Sequence, residues 1–62
     1  MDKEVMNVKE IADYLGLHTD TVYDLVRDNA IPHFKIGKRI LFSKEAIENW
    51  IRSQIMDQSE NQ

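Results

Sequence analysis

Four cations, Lys35, Lys38, Arg39 and Lys44, fall between Asn29 and Lys44 with no acid among them. Ammonium and guanidinium groups clustered in this way attract phosphate. A local patch can focus that attraction even on a protein whose overall charge opposes it. Here it does oppose it: the 62-residue chain carries a net charge of −3. Seven acids face three bases in residues 1–28, and four face one in residues 45–62. A protein that coats nucleic acid without discrimination is normally basic throughout, so the pattern argues for a local contact rather than coating.

Other chemistries are poorly provided for. There is no cysteine, hence neither a disulfide nor a thiolate metal site. His18 and His33 are the two histidines and stand at no metal-ligand spacing. Neither a Gly-rich phosphate loop nor a nucleophile elbow is present. The carboxylates are scattered as on solvated helix faces, and a body this small hardly provides the cleft that a catalytic pair needs. A non-enzymatic protein without a cofactor is the expectation. No apolar run approaches the roughly 18 residues of a membrane span and no signal peptide is legible, which predicts a cytoplasmic protein with no membrane partner.

The cations need elements to hold them. From Ile31 to Phe42 the spacing predicts two short strands around a Gly37-Lys38 turn, Gly37 supplying the positive φ of a tight hairpin. Phe34, Ile36, Ile40 and Phe42 alternate with His33, Lys35 and Arg39, as in a half-buried ribbon. Only Leu41 breaks the pattern. Upstream, Asn7 and Glu10 form a variant capping box, and Met6 and Ile11 stand where a hydrophobic staple would form. Val8, Ile11, Ala12 and Leu15 give one apolar face, and Gly16 ends a helix over 8–15, with Leu17 folding back onto it. A second helix is expected over about 20–28 with Thr19 as N-cap and His18 as the rival. Val22, Leu25 and Val26 point inward, and Asn29 and Pro32 close the helix. Ser43 then caps a third helix whose buried stripe is Ile47, Trp50, Ile51 and Ile55, with Trp50 expected to close the core over Phe42. The expected division is a flexible lead-in 1–6, a folded domain 7–56 and a disordered tail 57–62.

Two helices joined by a short Gly-containing turn are either an ordinary helical hairpin or a helix-turn-helix. Ala12 sits four residues before Gly16, where the helices must cross closely. Ile11, Leu15, Val22 and Leu25 occupy the surrounding buried positions, and the helix-turn-helix is favoured. The residues Asn7–Leu17, Thr21-Val-Tyr23, Ile31-Pro32, Lys35–Ile40, Phe42 and Trp50 together resemble the excisionase-type branch of the MerR-like winged-helix proteins. The resemblance covers about residues 6–52. It implies an α+β, mainly helical fold: helix, helix, β-hairpin wing, helix. It also implies a second helix in the major groove of duplex DNA and a wing on adjacent backbone or minor groove. As a role it implies an excisionase, a recombination directionality factor of a phage or mobile element, with an integrase or recombinase as protein partner and head-to-tail self-association on DNA. A small MerR-like transcription regulator is the alternative. A protein-interaction adaptor that keeps the fold without DNA affinity is the second.

The candidate contacts follow. Thr19, Thr21 and Tyr23 lie on the exposed first turns of the second helix, the part that usually reaches base edges or phosphates. Thr19 is also a cap and Tyr23 a candidate for partial burial. Arg27 is read as a phosphate clamp, against pairing with Asp24 or Asp28. Asp24 is read either as an acceptor from cytosine N4 or as a solvated residue. Asp20 is favoured as a helix-end stabiliser. His18 caps or touches phosphate. Lys38 and Arg39 at the wing tip, then Lys35, are the main phosphate contacts, and Lys44 is a further candidate.

Overall fold

A computed structural model of the chain describes residues 4–60, with side chains through residue 56. It is an α+β winged helix-turn-helix: β1 (Val5–Asn7), α1 (Val8–Leu15), α2 (Thr19–Arg27), β2 (Phe34–Ile36), β3 (Arg39–Ser43) and α3 (Lys44–Glu60). The strands form one antiparallel sheet in the order β1-β3-β2.

The helix ends follow from the residues at them. The Asn7 side chain accepts from the Glu10 amide at 2.8 Å and the Glu10 carboxylate accepts from the Asn7 amide at 2.9 Å, closing the capping box of α1. Gly16 ends α1 at φ 71°, and the Leu17 amide donates back to the Ala12 carbonyl at 2.8 Å, the long bond of a Schellman turn. Asn29 does for α2 what Gly16 does for α1. It adopts φ 56°, and the Ala30 amide returns to the Leu25 carbonyl at 2.8 Å. Both helices therefore stop sharply, and only Gly16, Leu17 and His18 separate them. The start of α2 corrects the expectation: the helix begins at Thr19, and His18 is its N-cap with no side-chain hydrogen bond. Neither Thr19 nor His18 closes that end with its side chain. At α3 the Ser43 hydroxyl does accept, from the Ala46 amide at 3.3 Å.

The core gathers Met6, Val8, Ile11, Ala12, Val22, Val26, Ile31, Phe42 and Ile47. Phe42 is its largest fully buried side chain. Trp50 packs against this cluster but stays partly exposed, lining a depression with residues 29–33, so it covers the core at its margin while Phe42 fills the centre.

Three further expectations are corrected. Val5 and Met6, expected in the flexible lead-in, instead belong to β1, which pairs with β3, Met6 opposite Phe42, because Met6 completes the core at the sheet's inner face. The helix expected to end at residue 56 runs through Glu60. Asp57-Gln-Ser-Glu contains no Gly or Pro to stop it. The remaining lead-in and tail positions, 1–3 and 61–62, lie outside the described residues. Finally, Phe34 and Ile36 do not share a face with Ile40 and Phe42. The hairpin pairs Ile36 with Arg39, Lys35 with Ile40 and Phe34 with Leu41. A two-residue turn with this register joins even positions of β2 to odd positions of β3, since directly opposed residues project to the same side. Phe34 and Leu41 are thus neighbours on the outer face, where Phe34 is 39% and Ile36 62% exposed. Leu41, the apparent break in the alternation, belongs with them.

Candidate nucleic-acid interface

α2 owes its position to Val22 and Val26, which are buried, and to Leu25, which packs against the core. Successive residues turn by about 100°, so Asp20, Asp24 and Arg27 form the stripe opposite the core. Tyr23 and Thr21 flank that stripe on either side, about 160° apart across it. All five are exposed, as are His18 and Thr19. The candidate residues of α2 therefore make one outward surface, but Thr21 and Tyr23 serve different edges of it.

The outermost stripe contains its own ion pair. Arg27 Nη2 lies 2.7 Å from Asp24 Oδ1, on side chains 73% and 59% exposed. The intrahelical pair with Asp24, one of the readings open for Arg27, is thus formed in the free chain. An exposed pair of this kind contributes about 0–1 kcal/mol, so it is easily exchanged for another partner, but with Asp20 beside it the stripe offers no net positive charge.

Tyr23 is placed on the edge of α2 that meets the wing. It lines an open depression of about 370 Å³ together with Asn7, Val8, Lys9, Lys38, Arg39 and Ile40. Gly37, at φ 62°, folds the hairpin so that Lys38 occupies the turn and Arg39 opens β3. The depression thus receives Lys9 from α1, Tyr23 from α2 and two cations from the wing tip, and no acid lines it. Among the described residues Lys9, Lys35, Lys38 and Arg39 make no ion pair. Lys35 pairs with Ile40 across the hairpin and so projects from the Ile40 face of the sheet, opposite to Arg39, and does not line the depression.

Lys44 is set apart from this group. Its amide donates to the Glu4 carbonyl at 2.9 Å, and it lines a separate depression with Glu4, Glu45 and Glu48. It stands at the opposite end of β3 from Arg39, with carboxylates around it. The structure brings Tyr23, Lys38 and Arg39 together, keeps Thr19, Thr21, Asp24, Arg27 and His18 on the adjoining helix surface, and leaves Lys44 outside.

Lys9 is the residue that the sequence reading missed. By its spacing in the chain it is one exposed polar residue of α1 among others. Its place became visible only once β1 had docked on β3 and brought the first turn of α1 beside the wing.

A family model described as a helix-turn-helix domain matches residues 5–55. The match starts at the first residue of β1 and ends within α3. No curated protein and no solved structure matches the chain.

Proposed function

Because the chain belongs to the helix-turn-helix domain family, we propose that it is a sequence-specific double-stranded DNA-binding protein, with α2 in the major groove and the wing on the adjacent backbone or minor groove. The observation that carries this reading is the acid-free set of unpaired cations at the wing tip beside the exposed surface of α2. In this arrangement affinity and selectivity are divided. Lys35, Lys38 and Arg39 supply phosphate attraction, which carries no sequence information, while Thr21 and its neighbours on α2 reach base edges, which do. Asp24 accepts from cytosine N4 if the Arg27 guanidinium moves to a phosphate. A module of this size covers roughly 600–1,000 Å² of its own surface on DNA, and its net charge is −3. Binding to a single site is therefore weak, and head-to-tail neighbours on repeated sites would make it cooperative.

The resemblance to excisionases supports a role in recombination beside an integrase, in which bound copies bend DNA. A MerR-like regulator at a promoter is the alternative; finding an integrase gene next to this one would favour the first. One observation favours a reading from another class, a protein-interaction adaptor. The stripe Asp20–Asp24–Arg27 is not cationic, and Phe34, Ile36 and Leu41 form an apolar outer face on the sheet.

Amide chemical shifts recorded with random duplex DNA at low salt separate the two classes. Movement at Lys38, Arg39 and residues 19–27 is expected. Shifts that stay unmoved there would leave the adaptor reading in possession.

A further inference from the structure

We infer that the depression between α1 and the wing tip seats one backbone phosphate of the bound duplex, gripped by Lys9 from one side and by Lys38 and Arg39 from the other, with the Tyr23 hydroxyl donating to it. The inference rests on the DNA-binding reading and deepens it. It adds a third element, α1, to the interface and gives Tyr23 a phosphate contact rather than a base to read.

Three features select a phosphodiester. The depression is lined by three cations drawn from two elements far apart in the chain, and by no carboxylate. None of the three is neutralised within the described part of the molecule, in contrast to Arg27, which is held by Asp24. The depression also adjoins the Tyr23 edge of α2, so a helix lying in the major groove places it over one flanking strand, where phosphates stand and base edges do not. The helix end itself is not the attracting group. The capping box already occupies the Asn7 and Glu10 amides, the first with the Glu10 carboxylate and the second with the Asn7 side-chain oxygen, so the charge an anion meets comes from the side chains.

A phosphate held from both sides fixes register. Lys38 and Arg39 alone ride on a hairpin tip. Lys9 ties the same phosphate to α1, which is packed against α2, so the distance from that phosphate to the bases read by α2 is set by the core.

The test is binding of the full chain to a fluorescent random-sequence duplex by anisotropy, at a series of KCl concentrations, for the wild type, Lys9→Ala, Lys9→Arg, Lys38→Ala and Lys9→Ala/Lys38→Ala. Loss of one phosphate contact lowers the salt slope by about 0.9. Since Lys38 and Arg39 still hold that phosphate, the advantage of wild type over Lys9→Ala should shrink between 50 and 200 mM KCl by at most the roughly 3.5-fold that a whole lost phosphate gives. Lys9→Arg should keep the wild-type slope, and the double variant should lose less than the sum of the single losses, because both cations serve one phosphate. Lys9 is exposed on α1 and Ala favours helix, so circular dichroism is expected to be unchanged. Wild-type affinity and slope in Lys9→Ala, with Lys38→Ala weakened, would overturn the inference and leave the DNA-binding reading intact. Failure of the wild type to bind any duplex would overturn both. Inorganic phosphate moving the Lys9 and Lys38 amides in that case would assign the depression to a free phosphate. A glutamate-rich peptide moving them more tightly than duplex would assign it to an acidic protein.

Discussion

At α2 the charge available to DNA is set by one contact, the 2.7 Å pair between Arg27 and Asp24. Its exposure makes it weak in water, so its importance is to the electrostatics of the stripe and not to stability. Asp24→Asn should free the guanidinium and leave folding unchanged. Non-specific duplex affinity is then expected to rise, with a salt slope steeper by about 0.9 if Arg27 takes up a phosphate; an unchanged slope would show that Arg27 stays in solvent. The wing residues predict the opposite. Replacing Lys38 and Arg39 together by Ala should weaken binding to every sequence alike and lower the slope by at most about 0.9, because both serve one phosphate that Lys9 still reaches. Thr21→Ala should barely touch that slope. Measured against a library of sites, it should instead relax preference at one base position, the signature of a lost base-edge contact.

Elements were legible in proportion to how local their determinants are. The capping box, the two left-handed stops at Gly16 and Asn29, and the Gly37 turn each lie within a few residues of chain, and all were readable there. The candidate cations of the wing were equally plain. Sheet register was not, because it depends on which residues end up opposite one another. Alternation along β2 and along β3 was clear, but their relative phase turns on the parity of the pairing. Ile36 opposite Arg39 reverses it. β1 escaped notice for a related reason: three residues have no period, and Met6 reads as core only when Phe42 is known to lie across from it. Lys9 was missed as a direct consequence. The register gives its own prediction. Ile36→Thr, on the outer face and 62% exposed, should change stability by less than about 0.5 kcal/mol. Ile40→Thr, against the core, places a hydroxyl beside apolar neighbours and should cost on the order of 1–2 kcal/mol. Urea denaturation of both variants checks this, and equal losses would refute the pairing.

Scaled to the whole molecule, the position of β1 links folding to binding. A chain of 62 residues buries only about 60% of the surface it exposes when unfolded, and small domains have a margin of roughly 5 kcal/mol or little more. β1 contributes on three fronts. Met6 is buried at the sheet's inner face opposite Phe42. The strand covers the edge of β3 that β2 leaves free. The Glu4 carbonyl accepts from the Lys44 amide at the start of α3. Met6→Ala should cost about 2–5 kcal/mol, the range for truncating a buried Met, and at the upper end this consumes most of the margin. The same change acts on the site, because β3 holds the wing and β1 leads directly into the turn of α1 that carries Lys9. At a temperature where Met6→Ala is still folded by far-ultraviolet circular dichroism, duplex affinity should already fall, with faster hydrogen exchange at the β3 amides. A variant that loses stability while its folded fraction binds as well as the wild type would show that β1 serves the core alone, and that the wing keeps its place by its pairing within the hairpin.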